Sequence, residues 1–157
     1  MSPRVGVVQF PGSNCEQDVV HAVRVLVIPG GFAHGDYLRP GAIARFSPVM
    51  DAVGELAEAG GGVVGICNGF QVLCEAGLLP GALQKNRGLK FLCTTVEVRV
   101  DSIRSALTAA AERGQILRVP INHFEGNYTC SLETLAELRA DDRVVLRYVD
   151  NPNGSID

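Results

Sequence analysis

The sequence predicts an α/β fold in which a mostly parallel sheet is flanked by helices. Short runs rich in β-branched residues alternate with segments whose apolar residues recur at the period of a helix. The first three runs end at glycine or proline, which is typical of buried strands in a parallel sheet. The chain has 157 residues, of which 46% are hydrophobic and 20% charged, so it can form one compact domain with its own core.

The elements follow from these patterns in chain order. The predicted strands are residues 5–10, 25–28, 63–66, 94–100, 115–121 and 144–149. The predicted helices are one that begins near Ser13, one that follows the third strand, and residues 41–60, 105–112 and 131–139. We expect a single domain over 1–157. We also expect it to be incomplete after residue 23, where the first helix has little room, and at its C terminus, where turn-forming residues end the sequence.

Charge and apolar pattern exclude several classes of partner. The formal net charge is −3 and the Lys and Arg residues are scattered, so no basic surface for nucleic acid is expected. No apolar run approaches the roughly 20 residues that span a bilayer, and the first residues lack the layout of a signal peptide. We therefore expect a cytoplasmic protein that binds neither nucleic acid nor membrane.

The cysteines are expected to be reduced thiols. They lie at positions 15, 67, 74, 93 and 130, an odd number without a Cys-x-x-Cys pair, which favours neither a disulfide framework nor a metal site. Cys74 lies on an apolar helical face and is expected to be a core residue. Cys67 is the exception, because it stands between Gly65 and Gly69 at the end of an apolar run.

The arrangement Gly65-x-Cys67-x-Gly69 is typical of a nucleophile elbow, a sharp strand-to-helix turn that presents a reactive side chain. The N terminus of the following helix would favour the thiolate of Cys67, and the N–H of Asn68 would face a developing oxyanion. Pro29-Gly30-Gly31 ends the preceding strand of the sheet, so the N–H of Gly31 is predicted as a second oxyanion donor. A buried structural cysteine and an ordinary glycine turn are the alternatives that these two patterns leave open.

Several longer segments resemble a known family. The resemblance is to the class I (triad) glutamine amidotransferases, in particular the glutaminase subunits of phosphoribosylformylglycinamidine synthase. It is carried by the segments VQFPGSNC at 8–15, PGGFAHGDYLR at 29–39, GAIARFS at 41–47, GICNGFQ at 65–71 and NPNGS at 151–155. It implies a flavodoxin-like class I amidotransferase fold with a nucleophile elbow.

The resemblance also implies a reaction and a site. Cys67 would attack the side-chain amide of glutamine, Gly31 and Asn68 would stabilise the oxyanion, and Gln71 and His123 would shape the glutamine pocket. A glutamyl thioester and ammonia would follow. The ammonia would pass to a synthetase subunit (PurL), which uses ATP and Mg. A small accessory subunit (PurS) would complete the complex. This chain has no P-loop motif, so no cofactor is expected on it.

One part of the family pattern is absent from the 157 residues. The resemblance implies a His-Pro-Glu motif that supplies the base and its orienting carboxylate, and the sequence has only His21, His34 and His123, none in that motif. We expect the missing pair to lie beyond Asp157.

Two other functions compete with this interpretation. A cysteine hydrolase of the DJ-1/PfpI type shares the sheet and the elbow, but such proteins usually place histidine directly after the cysteine, where this chain has Asn68. A catalytically incomplete regulatory subunit is the second alternative, which the missing His-Pro-Glu favours and the intact elbow opposes.

Overall fold

The computed structural model describes residues 25–31 and 39–154. The chain divides into two compact units, Met1–Ala82 and Leu83–Asp157. The strand predicted at 5–10, the helix predicted near Ser13, and the residues Cys15, His21 and His34 lie outside the described residues.

The described part of the first unit contains two strands and three helices. Strands β1 (Leu26–Ile28) and β2 (Val63–Gly65) pair in parallel, with Ile28 opposite Gly65, which confirms the prediction of adjacent parallel strands at 25–28 and 63–66. The helices are α1 (Pro40–Ala44), α2 (Val49–Glu58) and α3 (Asn68–Glu75).

The single helix predicted over 41–60 was wrong, because the structure has two helices there. The first ends at Ala44, and the second begins directly after Pro48. Proline has no N–H to continue a helix and disfavours helical geometry in the residue before it, so the break falls at Ser47 and Pro48. Both helices contribute to one core, the first through Ala44 and the second through Met50 and Val53, but most of the apolar residues that suggested a single helix are exposed: Ile43, Phe46, Val49 and Leu56.

A small apolar core holds this unit together. Its buried members come from β1, from both helices before β2 and from α3: Ile28, Ala44, Met50, Val53, Val72 and Leu73. Val53 is 1% exposed and Ile28 is fully buried. Burying one side chain of this size stabilises the folded state by about 1.5–3 kcal/mol. These contacts therefore fix α2 and α3 against the two strands.

The second unit is built mainly on an antiparallel sheet. Its elements are β3 (Ala82–Gln84), which begins at the boundary, β4 (Leu92–Val100), β5 (Ile116–His123), β6 (Asn127–Thr129), α4 (Leu132–Ala140) and β7 (Leu146–Tyr148). The strand order is β5-β4-β7, and β4 is antiparallel to both neighbours, while β3 pairs with β6. The described sheets are therefore mixed, and the expected mostly parallel arrangement holds only for β1 and β2.

The connection from β4 to β5 explains this difference. The helix predicted at 105–112 was wrong, because this stretch forms turns. The hydroxyl of Thr108 donates to the carbonyl of Ser102 over 2.8 Å, and Ser105 accepts from the N–H of Leu107, so side chains occupy backbone groups that a helix would use. Without a crossover helix, consecutive strands pair as antiparallel neighbours.

The strands predicted at 94–100, 115–121 and 144–149 and the helix predicted at 131–139 correspond to β4, β5, β7 and α4. In β4, Val96, Val98 and Val100 are buried and alternate with exposed residues, as expected for a strand with one covered face. Ser131 caps α4, since its hydroxyl accepts from the N–H of Thr134 over 3.0 Å. No helix in residues 25–31 and 39–154 combines the length and the apolar character needed to cross a bilayer.

Asn86 is the polar centre of the second unit. It is 1% exposed, and its side-chain amide donates to the carbonyls of Lys90 and His123, each over 2.9 Å. Its carbonyl oxygen accepts from the N–H of Gly126 over 3.2 Å and from the amide of Asn153 over 3.4 Å. One buried side chain thus connects its own loop, the end of β5, the turn that follows β5 and the segment around Asn153.

We predict that Gly69→Ala destabilises the protein by about 3 kcal/mol or more, because a Cβ at Gly69 would overlap the carbonyl oxygen of Ile28 on β1. Gly54→Ala is the matched control, since a Cβ at Gly54 meets nothing within 4 Å and alanine favours a helix interior by about 0.5–1 kcal/mol. Urea unfolding measures both. If the two variants are equally stable, the close approach of Gly69 to the carbonyl oxygen of Ile28 is contradicted.

We also predict that Asn86→Ala lowers the free energy of unfolding by about 3 kcal/mol, because it leaves buried backbone groups without partners. Asn86→Asp should cost more, since a carboxylate would face two carbonyl oxygens. Asn122→Ala, at an exposed position of β5, is the control and should change stability by less than about 0.5 kcal/mol. A mild effect of Asn86→Asp would refute the assigned hydrogen bonds.

Candidate active site

Cys67 lies at a strained turn between β2 and α3. Its backbone angles are φ 54° and ψ −111°, in a region that non-glycine residues rarely adopt. Strand β2 ends at Gly65 and helix α3 begins at Asn68, so the turn is the strand-to-helix elbow that the sequence predicts. The turn also leaves Cys67 exposed to solvent.

The glycines on both sides of Cys67 allow the backbone segments to pass closely. A Cβ at Gly65 would lie 2.6 Å from the carbonyl oxygen of Gly69, and one at Gly69 would overlap Ile28. Neither position has room for a side chain, so glycine is required two residues before and two residues after the cysteine.

Gly30 brings the end of β1 against the cysteine. A Cβ at Gly30 would lie 2.9 Å from the Cβ of Cys67 and 3.8 Å from its Sγ, so the glycine backbone faces the thiol directly. Gly31 is the next residue, is half-buried and has φ 155°. The predicted oxyanion donor therefore follows immediately after the residue that contacts Cys67.

Asn68 and Gln71 form a pair at the start of α3. Asn68 is 5% exposed, and its Nδ2 donates to the Oε1 of Gln71 over 2.6 Å. The backbone of Gln71 is held as well, because its N–H donates to the carbonyl of Cys67 over 3.3 Å. The side chain of Asn68 thus orients Gln71, whereas the sequence predicted a role only for the backbone N–H of Asn68.

Helix α1 packs directly on α3 beside this pair. A Cβ at Gly41 would lie 2.7 Å from the carbonyl oxygen of Gln71, so the two helices are in backbone contact there. Arg39 forms an ion pair with Glu75, and Arg45 donates to the carbonyl of Glu75 over 3.2 Å. Positive charge at the C-terminal end of α3 complements the helix dipole and holds the helix from its far end.

Cys67 and Cys74 differ sharply although both belong to this segment. Cys74 is 7% exposed, and burial, with a smaller contribution from Glu75, raises the pKa of its thiol to about 11. It is therefore a protonated core residue at neutral pH, as expected. Cys67 is exposed at a helix N terminus, so the two thiols have opposite environments.

His123 lies in the second unit, at the end of β5. Burial lowers the pKa of its imidazole below the ordinary value, so the ring is neutral at pH 7. Its Nδ1 atom is buried and has no hydrogen-bond partner among the described residues. Gly126 lies over the ring, where any Cβ would overlap it, and Asn86 holds the His123 carbonyl.

Asn86 and Asn153 organise the second unit, a role that was not predicted from the sequence. Their only signal was their position in turn-forming stretches, Asn86-Arg87-Gly88 and Asn151-Pro152-Asn153-Gly154. In the structure, Asn153 accepts from the N–H of Arg87 over 3.0 Å, which joins the two stretches.

Among residues 25–31 and 39–154 no group of three or more His, Cys, Asp or Glu could hold a metal ion.

Comparisons with known proteins agree with this geometry. The model of the CobB/CobQ-like glutamine amidotransferase domain matches residues 20–157. The phosphoribosylformylglycinamidine synthase subunit PurQ of Rubrobacter xylanophilus is 52% identical over 172 residues, covering 97% of this chain and 78% of that relative. The PurQ subunit of Koribacter versatilis is 47% identical over 184 residues, covering 98% of this chain and 80% of that relative.

A solved structure shows the same similarity. A chain in the structure of PurLQS from Thermotoga maritima is 40% identical, with a TM-score of 0.85, and the match covers 99% of this chain and 78% of that chain. The elbow at Cys67, the family model and the relatives lead to one conclusion. The chain belongs to the CobB/CobQ-like glutamine amidotransferases and, within them, to the PurQ subunits of phosphoribosylformylglycinamidine synthase.

Proposed function

We propose that this chain is a cytoplasmic glutaminase subunit of phosphoribosylformylglycinamidine synthase and that Cys67 is its nucleophile. The single observation that carries the assignment of Cys67 is its strained, exposed elbow geometry, φ 54° at the N terminus of α3, with glycine backbone packed against it. Strain of this kind is retained where a reactive group must be presented in a fixed position.

The proposed reaction begins with attack on glutamine. The Sγ of Cys67 forms a bond to the side-chain amide carbon, and the carbonyl oxygen becomes an oxyanion that the N–H groups of Gly31 and Asn68 stabilise. The C–N bond then breaks, the nitrogen takes the proton that the thiol gave up and leaves as ammonia, and a glutamyl thioester remains. Water hydrolyses the thioester to glutamate and restores the thiol.

The proposed substrate contacts involve Gln71 and His123. Asn68 fixes the amide oxygen of Gln71, so the side chain of Gln71 is pre-oriented rather than mobile. His123 is kept neutral by burial, which suits a hydrogen bond to a bound substrate at neutral pH better than a charge interaction. The role of Gln71 rests on this hydrogen bond, and the role of His123 rests on the family resemblance together with its neutral ring.

The proposed partners are the PurL and PurS subunits. The similar solved structure is of PurLQS, and the relatives are subunits of phosphoribosylformylglycinamidine synthase. We propose that ammonia passes to PurL, where ATP and Mg are used. Ammonia release from glutamine in the complex separates this function from a DJ-1/PfpI-type hydrolase, and its absence despite a reactive Cys67 would indicate a regulatory subunit.

The direct test is replacement of the nucleophile. In the complex with PurL and PurS, Cys67→Ser should lower glutamine hydrolysis on the order of 1,000-fold or more while leaving the fold intact. Cys93→Ala is the control, because Cys93 is also exposed but lies outside the elbow, and it should retain activity. Retained hydrolysis in Cys67→Ser would overturn the assignment.

Alkylation provides a second readout that needs no turnover. At pH 7.5, iodoacetamide should modify Cys67 at least about tenfold faster than Cys93, because the helix N terminus favours the thiolate. Cys74 should stay unmodified in the folded protein, since it is buried and its thiol has a pKa of about 11. Peptide mapping by mass spectrometry measures the three rates, and a faster Cys93 would contradict the proposed activation.

The contact between α1 and α3 yields a separate prediction. Gly41→Ala should push the α3 backbone away at Gln71, so the KM for glutamine in the complex should rise about tenfold while Cys67 alkylation is unchanged. Gly54→Ala, a helical glycine with open space around it, should leave KM unchanged. A loss of kcat without a change in KM would show that Gly41 does not act through the substrate site.

A further inference from the structure

Glu75, the last residue of α3, contacts the chain on both sides of helix α1. Its carboxylate forms an ion pair with Arg39, the residue directly before α1. Its backbone carbonyl accepts from the Nη1 of Arg45, the residue directly after α1, over 3.2 Å. One residue of α3 thus holds the chain at both ends of α1.

Gln71 lies one helical turn before Glu75 on the same face of α3, because residues four apart in a helix are neighbours. Helix α1 covers this face. A Cβ at the buried Gly41 would lie 2.7 Å from the carbonyl oxygen of Gln71 and 3.0 Å from the Cγ of Glu75. The backbone of α1 therefore rests on both residues, and a movement of α1 would be felt at Gln71.

Helix α1 depends on α3 for its position. A helix of five residues has too few internal hydrogen bonds to be stable alone. Its apolar anchor is Ala44, which is 2% exposed and belongs to the core to which α3 contributes Val72 and Leu73. The contacts at Glu75 are its polar anchor, so both kinds of attachment lead to α3.

The carboxylate of Glu75 is largely shielded from water, which gives its ion pair more weight than a surface pair. The Glu75 side chain is 16% exposed, whereas that of Arg39 is 59% exposed. A shielded carboxylate is unfavourable unless a positive group accompanies it, and Arg39 is that group. Removal of Arg39 would leave this charge uncompensated, so Glu75 would turn toward water and away from α1.

We propose that Arg39 and Glu75 are positioning residues for glutamine binding, because their ion pair holds α1 on the face of α3 that carries Gln71. The inference rests on the proposed function, which takes Gln71 as a substrate contact. Cys67 lies at the opposite end of α3, where close glycine contacts hold it. The ion pair therefore acts on substrate binding and not on the reactivity of the thiol.

The test measures glutamine hydrolysis by the complex with PurL and PurS. Glu75→Ala and Arg39→Ala should each raise the KM for glutamine about fivefold and change kcat less than about twofold. Iodoacetamide should modify Cys67 at an unchanged rate in both variants. Glu58→Ala is the matched control, because Glu58 is also the last residue of a helix in the first unit but is exposed, and its KM should stay within about twofold.

Exchanging the two charges separates positioning from a merely structural role. Glu75→Arg alone places two positive side chains together and should raise KM further, about tenfold. Adding Arg39→Glu restores an ion pair of opposite sense. It also suits the helix dipoles, since the acidic residue then precedes α1 and the basic residue ends α3. KM should return to within about twofold of that of the unaltered protein, and a failure to recover would contradict a role for the ion pair.

The remaining outcomes distinguish this inference from the proposed function. An unaltered complex that hydrolyses glutamine, together with unchanged KM in Glu75→Ala and Arg39→Ala, would overturn the inference alone. An unaltered complex without hydrolysis would overturn both. Urea unfolding of the full chain checks that each variant is folded, and variants that lose stability while KM is unchanged would show that the ion pair is only structural. Glu75→Gln retains the shape of the side chain and should raise KM about threefold even if Glu75→Ala does not fold.

Discussion

The first unit depends on the close passage of three glycine backbones around one strained cysteine. Gly69 approaches the carbonyl of Ile28, Gly65 approaches Gly69, and Gly30 contacts Cys67 itself. These contacts hold the turn at a positive φ that an isolated cysteine would not adopt. The parallel pairing of β1 and β2 brings Ile28 opposite Gly65, so register and elbow support each other.

The second unit is held together by a buried hydrogen-bonded side chain as well as by apolar packing. Its apolar core on β4 is narrow, and a buried amide, Asn86, joins segments that the sheet does not connect. Because a buried amide must be fully hydrogen-bonded to be tolerated, it also fixes the conformation of the turns around it. His123 is placed through this network by its carbonyl, which leaves its ring atoms outside the network.

Local signals made much of this predictable. The glycines at both sides of Cys67, the strand pattern at 94–100 and the helical pattern at 131–139 are local in sequence, and the elbow, the strand and the helix predicted from them are present. The break at Pro48 was missed because the apolar period was followed across a proline. The turns at 105–112 were missed because a hydroxyl contact between Thr108 and Ser102 outweighs weak helical periodicity. Antiparallel pairing and the organising role of Asn86 depend on partners many residues away, which no local pattern encodes.

The facing arginines of β4 and β7 show how long-range register brings together charges that are far apart in the sequence. The chain is acidic overall, with a formal charge of −3, and its basic residues are scattered along the sequence. Pairing of β4 with β7 nevertheless places Arg99 opposite Arg147, and the turn at Asp142 brings a further carboxylate toward Arg113. Like charges directly opposite each other oppose strand pairing, but Asp101 accepts from Arg99 with one oxygen while its other oxygen lies 2.9 Å from the Nε of Arg147. The charge conflict is therefore resolved by a carboxylate two residues after Arg99, a contact that depends on the register of β4 and β7 and that composition alone does not reveal.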